Sequence, residues 1–163
     1  QFLRITSDRT MFEETLLRVH LLAADDQIYP VICSAHTELV RRLIGSSLPQ
    51  TLIEPVGRNT AACIGLSAIH ISQRDPDEPI VFLPADHFVA DGECFARTIS
   101  AAAEAARSGS IVTIGIRPNR PETGYGYIEI GAEEGRALGQ PYFRMQRFVE
   151  KPDQETAFRE LRH

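Results

Sequence analysis

The sequence predicts an α/β fold whose sheet is mixed but mainly parallel, with helices covering both faces. Three observations carry this. Between Thr10 and Ile116 helical and strand-like patterns alternate, the order expected of a parallel-dominated sheet. The strand-like runs, such as Ile80-Val-Phe-Leu83, are short and continuously apolar, as strands covered on both faces are. Beyond Ile116 two alternating segments follow with no helix between them, which adds an antiparallel part.

The elements follow in order. Thr10 or Asp8 can cap a first helix running to about Ala24, with Phe12, Leu16, Val19 and Leu22 or Ala23 along one side. Ile28 to Ser34 reads as a strand around Val31 and Ile32, and a helix from about His36 to Ile44 follows. Thr51 to Glu54 is a short strand. Asn59 or Thr60 opens an apolar helix over Ala61 to Ser72. Asp75-Pro-Asp77 turns the chain into a strand at Pro79 to Pro84. Glu93 to Arg107 is an alanine-rich helix, and Ser110 to Ile116 is a β-branched strand. Tyr125 to Ile130 and Met145 to Val149 alternate as strands, and a last helix begins near Gln154 and runs to His163. The stretch 117–126, dense in glycine and polar residues, reads as a loop, so residues 1–163 read as one domain without repeats or low-complexity linkers.

Composition bounds the function. A length of 163 residues is enough for a core, and 43% hydrophobic with 24% charged residues is ordinary for a soluble globular protein. The formal net charge of −5 argues against a nucleic-acid footprint but not against a nucleotide. Cys33, Cys63 and Cys94 are odd in number and widely spaced, without metal-ligand spacing or a disulfide framework. Buried, inert thiols and a reducing, cytoplasmic setting fit them. No apolar run is long enough to span a membrane, and the N-terminus has no signal-peptide pattern.

Four segments can carry chemistry. Ile80-Val-Phe-Leu-Pro-Ala-Asp86-His87 is an apolar run that ends in an acid. In open α/β sheets ligands collect outside the carboxyl ends of strands. Asp86 there can hold a hard cation such as Mg²⁺, or simply cap the turn. In Glu54-Pro-Val-Gly-Arg-Asn-Thr-Ala61 a strand end leads through a glycine loop to a helix start, whose amides attract anions or polar groups. Glu54 could accept the paired N–H donors of a purine edge; an N-capped loop with a solvated Arg58 fits the spacing as well. Pro121-Glu-Thr-Gly-Tyr-Gly-Tyr127 offers bare backbone at Gly124 and Gly126 to a sugar or phosphate, or is a flexible turn. Phe148-Val-Glu150-Lys151-Pro152 sets a carboxylate beside an ammonium at a strand end, able to take sugar hydroxyls and a phosphate, or to form an exposed ion pair of little energetic value.

Taken together, in this order and spacing, these segments resemble the nucleotide-sugar pyrophosphorylases, and within them the bacterial mannose-1-phosphate guanylyltransferases. The matching stretches are Glu54 to Ala61, Leu83-Pro-Ala-Asp-His87, Pro121 to Ile128 and Phe148-Val-Glu-Lys-Pro-Asp153. Arg9-Thr-Met-Phe-Glu-Glu-Thr-Leu-Leu-Arg18 is similar to the family's first helix, so the likeness covers essentially the whole chain. The Gly-Arg-Asn-Thr segment points to the guanylyl, mannose-type branch.

The resemblance implies a Rossmann-like three-layer sandwich. It implies transfer of a guanylyl group from GTP to mannose-1-phosphate, giving GDP-mannose and pyrophosphate. Asp86 inherits the Mg²⁺ site and a catalytic role, and Glu54, Asn59 and Thr60 inherit the nucleotide base region. Tyr125, Gly126, Glu150 and Lys151 inherit the sugar-phosphate site: Gly126 offers its N–H, Glu150 holds hydroxyls and Lys151 meets the phosphate in a catalytic role. The nucleophile would be a phosphate oxygen already ionised at pH 7, so no general base is needed; charge neutralisation and in-line positioning suffice. His87 then reads as a neighbour of the site rather than a base, and His20, His36, His70 and His163 as structural or surface residues. A homodimer is also implied, since the family is often dimeric.

The departures are specific. The family opens with a strand, a glycine-rich loop and a Pro-Lys-Gln-Phe segment, and Gln1-Phe2 fits only the end of that segment. The sheet is therefore expected to lack its first strand and the glycine-rich loop. A second metal-binding acid is expected beyond His163. Ala62-Cys63 stands where the resemblance predicts proline and alanine. These departures lead to the expectation of a fragment, truncated at both ends, without measurable activity by itself. Uridylyl or thymidylyl transfer, and a non-catalytic sugar-nucleotide-binding or regulatory role, are the alternatives. A generic dinucleotide-binding domain ranks last, because no glycine fingerprint follows a first strand.

Overall fold

The computed structural model describes residues 1–45 and 50–161. They fall into two compact units, Gln1–Ser100 and Ala101–His163.

The first unit is built on helix α1 (Met11–Val19), strand β1 (Val31–Cys33), helix α2 (Thr37–Ile44), strand β2 (Leu52–Glu54) and helix α3 (Asn59–Ser72). Helix α4 (Gly92–Ala106) begins in this unit and ends in the second. β1 and β2 pair in parallel, Val31 opposite Leu52 and Cys33 opposite Glu54, so their carboxyl ends lie side by side. A parallel pair needs a crossover, and α2 lies in it. The core cluster is Phe12 of α1, Ile32 of β1 and Val40 of α2, with Leu16, Leu43, Ile44 and Ala85 packed against it.

α1 starts at Thr10 by a complete capping box. Thr10 N–H donates to Glu13 Oε2 at 2.7 Å, and Thr10 Oγ1 accepts from Glu13 N–H at 3.2 Å. The bonds from Thr10 hold the Glu13 carboxyl below its ordinary value. A depressed carboxyl pKa contributes stability above the unfolded-state value that is lost as pH falls through the folded-state value. Thr10→Ala is expected to cost about 1 kcal/mol of unfolding free energy at neutral pH. In urea titrations the deficit should shrink, without vanishing, once the medium is acid enough to protonate Glu13. A deficit independent of pH would place the stabilisation elsewhere.

The first helix is shorter than the expected run to Ala24. His20 caps its C-terminus, and the chain passes into a 3₁₀ turn at Asp25–Gln27. His20 Nε2 meets Asp25 Oδ1 at 2.8 Å, and Gln27 Oε1 accepts from Ala24 N–H at 3.2 Å. Those side chains offer local partners that compete with helix propagation. β1 likewise begins at Val31 rather than Ile28, because Pro30 has no N–H to donate.

Two expected strands are not strands. Pro79 to Pro84 and Ser110 to Ile116 make no ladder with any described residue. An apolar run becomes a strand only when a neighbour satisfies its N–H and C=O groups. The second run is correspondingly exposed, Ile111 at 98% and Ile116 at 87%, and the first is half-buried to exposed. The ladders among the described residues are therefore two separate pairs, β1–β2 and the hairpin of the second unit.

In the second unit β3 (Tyr127–Ala137) and β4 (Gln140–Val149) form an antiparallel hairpin longer than the alternation predicts. Leu138 and Gly139, with φ of 48° and 81°, make the tight turn, both central residues being left-handed as such hairpins require. Helix α5 (Gln154–Glu160) is capped by Asp153, whose carboxylate accepts from Thr156 N–H at 2.8 Å. Arg147 of β4 ties Glu129 of β3 and Glu160 of α5 at 2.9 and 2.8 Å. The short Glu150-Lys151-Pro152 link is thus held between β4 and α5.

Among the described residues no helix is long and apolar enough to cross a membrane. Cys33 and Cys63 are half-buried, and burial pushes the Cys63 thiol pKa up, consistent with an inert thiol. Cys94 is a correction to the expectation of buried thiols: it lies exposed near the start of α4. His70 packs edge-on to Tyr29, and His163 lies outside the described residues.

Candidate functional site

In the first unit the carboxyl ends of β1 and β2 open onto a cavity of about 230 Å³. Its walls include Cys33, His36, Glu54, Phe12 and Ala85. Parallel pairing in register puts Cys33 and Glu54, the last residues of their strands, next to each other. Glu54 is half-buried, so its carboxylate stands at a partly desolvated wall. His36, expected to be structural or on the surface, is a wall residue here and packs against Phe2 with ring centroids 5.1 Å apart. No spacing in the sequence signals it.

From Glu54 the loop Pro55-Val-Gly-Arg58 leads into α3. Asn59 has a left-handed φ of 64°, and no side chain caps the helix from Arg58. Asparagine is among the few residues that take this conformation at modest cost. The first-turn amides, with no cap, stay available to an oxygen ligand. Asn59 and Thr60 are both exposed at this helix start.

Ala85, a wall residue, directly precedes Asp86, so Glu54 and the Asp86 turn share one cavity rim. The Asp86 side chain is exposed and makes no hydrogen bond or ion pair with the described residues. A carboxylate that capped its own turn would accept a turn amide, and this one does not. No group of three or more His, Cys, Asp or Glu side chains is poised for a metal among the described residues. Mg²⁺ does not require one, since it is commonly held by one or two carboxylates together with substrate phosphates and water. A free carboxylate next to the cavity-lining Ala85 fits that role.

In the second unit Tyr127 opposes Val149, which sets Gly126 and Glu150 beside each other at the open end of the hairpin. A Cβ on Gly126 would lie 2.7 Å from Phe148 Cε2 and 3.2 Å from Glu150 Oε2, so only glycine leaves room for both. Tyr127 Oη accepts from Glu122 N–H at 2.8 Å and anchors the loop before it, where Tyr125 is 68% exposed. Lys151 Nζ lies 3.3 Å from Glu150 Oε1, both side chains more than half exposed, a pair that adds little to stability. Lys151 is itself left-handed, with φ of 43°, and precedes the buried Pro152. Backbone strain of this kind persists only where the surroundings impose it, and it gathers at functional sites. Among the described residues, two of the three non-glycine residues with positive φ, Asn59 and Lys151, are positions that the sequence singles out.

The predicted residues thus form two groups, Glu54, Asn59, Thr60 and Asp86 in the first unit and Tyr125, Gly126, Glu150 and Lys151 in the second. A further participant has no signal in the sequence. Arg18 Nη2 donates to the carbonyl of His87 at 2.9 Å, tying α1 to the residue after Asp86.

The alginate biosynthesis protein AlgA of Pseudomonas aeruginosa is 38% identical over 96% of this chain, which spans 33% of AlgA. A mannose-1-phosphate guanylyltransferase of Escherichia coli is 39% identical over 96% of the chain and 34% of its own length. The xanthan biosynthesis protein XanB of Xanthomonas campestris is 38% identical over 96% of the chain and 33% of its own length. The chain therefore spans about a third of the curated relatives it matches. A solved structure described as a mannose-1-phosphate geranyltransferase from Thermus thermophilus superposes with a TM-score of 0.83 at 34% identity, covering 94% of this chain and 44% of that one. The fold class is α/β and Rossmann-like, as the sequence predicts. The family model for nucleotidyl transferases matches residues 1–162, and this chain belongs to the nucleotidyl transferase family.

Proposed function

We propose that these residues serve guanylyl transfer from GTP to mannose-1-phosphate, forming GDP-mannose and pyrophosphate. The observation that carries the reading is the cavity at the ends of β1 and β2, with Glu54 and Ala85, the residue before Asp86, in its wall. The name of the relative in Escherichia coli supports the choice of base and sugar. Glu54 accepts the N1–H and 2-amino donors that guanine alone presents side by side, and the uncapped start of α3 at Asn59 and Thr60 takes an oxygen of the nucleotide. In the second unit the N–H of Gly126 and the Glu150 carboxylate hold the sugar beside Tyr125, and Lys151 neutralises the sugar phosphate.

Asp86 would hold Mg²⁺, which supplies offsetting charge and a template for the reacting phosphates. The chain's own groups bind and orient two polyanions, and the attacking phosphate oxygen needs no base to ionise it. Since the chain spans about a third of its relatives, the whole reaction is proposed for a protein of their length carrying these residues. Residues 1–163 by themselves are expected to form no GDP-mannose.

The test is turnover with GTP, UTP, dTTP and ATP against mannose-1-phosphate and glucose-1-phosphate, read by product chromatography. GTP with mannose-1-phosphate should exceed every other pair by at least about a hundredfold, because a site built to hydrogen-bond one base leaves buried groups unpaired with another. Preference for UTP or dTTP would replace the guanylyl reading. GDP-mannose binding without turnover of any pair would make the protein a binding or regulatory relative.

A further inference from the structure

We infer that Arg18 is a positioning residue for the turn that carries Asp86, acting through the carbonyl of His87; its kinetic consequence rests on the guanylyl-transfer reading above. Arg18 lies in the last turn of α1. Its Nη2 donates to Thr15 Oγ1 at 3.0 Å and to His87 O at 2.9 Å, which uses both hydrogens of that nitrogen. Its guanidinium carbon lies 5.8 Å from the centroid of the Phe95 ring, near the start of α4. One side chain therefore bridges α1, the residue after Asp86 and Phe95, all within the first unit.

Space filling does not account for this group. Arg18 Nε is buried with no hydrogen-bond partner, and no carboxylate pairs with Arg18 among the described residues. Burial pulls its pKa down, which nearby Glu14 partly offsets. An apolar side chain of similar length would occupy the space without leaving a buried N–H unpaired. A planar cation adds donors in two directions at once. On one side Thr15 is a fixed point, buried and donating from Oγ1 to Met11 O at 2.9 Å. On the other is the peptide next to Asp86, whose own side chain has no partner and takes its position from the backbone. The line Met11 O, Thr15 Oγ1, Arg18, His87 O carries the rigidity of a capped helix to that backbone.

The experiment compares Arg18→Met and Arg18→Lys with the parent in the intact protein. Phe88, two residues past Asp86 and 64% exposed, is a chymotrypsin site that reports opening of the turn. Cleavage after Phe88, followed by peptide mass spectrometry, should quicken about tenfold in Arg18→Met with other sites in residues 1–100 unchanged. Arg18→Lys, which can still donate to the carbonyl, should stay within about threefold of the parent. Equal acceleration at every site would reduce Arg18 to general support and overturn the inference, as would an unchanged rate after Phe88. In the kinetic arm kcat should fall about tenfold in Arg18→Met with KM for GTP within about twofold, the pattern of a misplaced reacting group. A parent that turns over beside an equally active Arg18→Met overturns the inference too. A parent without any turnover refutes the guanylyl-transfer reading and leaves the cleavage rates to decide the anchor.

Discussion

Asp86→Ala is expected to lower GDP-mannose formation at least about a thousandfold, the scale on which removing a group aimed at transition-state charge acts. The reason is its isolation. The Asp86 side chain is exposed and bonds to nothing among the described residues, so its removal takes no hydrogen bond or ion pair from the fold. Surface substitutions of that kind move stability by no more than about 0.5 kcal/mol. A large loss of turnover at an unchanged melting temperature would then report chemistry alone. Asp86→Asn separates charge from shape, since the amide keeps the size but ligates a hard cation poorly. It should be as inactive as the alanine variant, and Mn²⁺ titration followed by water-proton relaxation should show weakened binding in both. Near-parental turnover in Asp86→Asn would move the metal site elsewhere.

Lys151→Met is expected to reduce kcat/KM for mannose-1-phosphate by about a hundredfold or more, because an ammonium set against a phosphate contributes charge-assisted bonding that strengthens as charge develops. Its pairing with Glu150 does not explain its place. At 3.3 Å, and with both side chains mostly solvated, that pair adds next to nothing to stability. The backbone is the stronger sign. Lys151 sits at φ of 43°, ahead of a buried proline, in a conformation lysine avoids. Lys151→Asn therefore makes a second, sharper variant, since asparagine accepts the left-handed backbone without supplying an ammonium. It should be as impaired as Lys151→Met while being at least as stable in thermal unfolding. Full activity in Lys151→Asn would show that the strained backbone, and not the charge, is what the site uses.

Legibility differs from element to element. A cap at Thr10, the start of the last helix near Gln154 and the strand end at Glu54 are all readable, because each is a matter of residues within a few positions of one another. The two runs at Pro79 to Pro84 and Ser110 to Ile116 cannot be judged this way. Their composition is that of strands, but a ladder belongs to two segments, and none closes on them among the described residues. The hairpin exceeds its sequence signal for the opposite reason. Glycines, glutamates and arginines interrupt the alternation over residues 131–144, yet cross-strand pairs such as Arg144 with Glu134 and Arg147 with Glu129 accompany the pairing.

The candidate site divides along the same line. By itself the sequence determined the α/β class, the order of the five helices among the described residues, and the placement of Glu54 at the end of one strand and Gly126, Glu150 and Lys151 beside two alternating segments. It could do so because periodicity, caps and turn residues act over short distances. Tertiary structure alone decided that Glu54 and the Asp86 turn share one cavity with His36, and that Gly126 lies against Phe148 and Glu150. It also decided that Arg18 reaches the peptide after Asp86. These are contacts between residues distant in the chain, fixed by strand register and helix packing, and no local preference encodes which distant partner a side chain will meet.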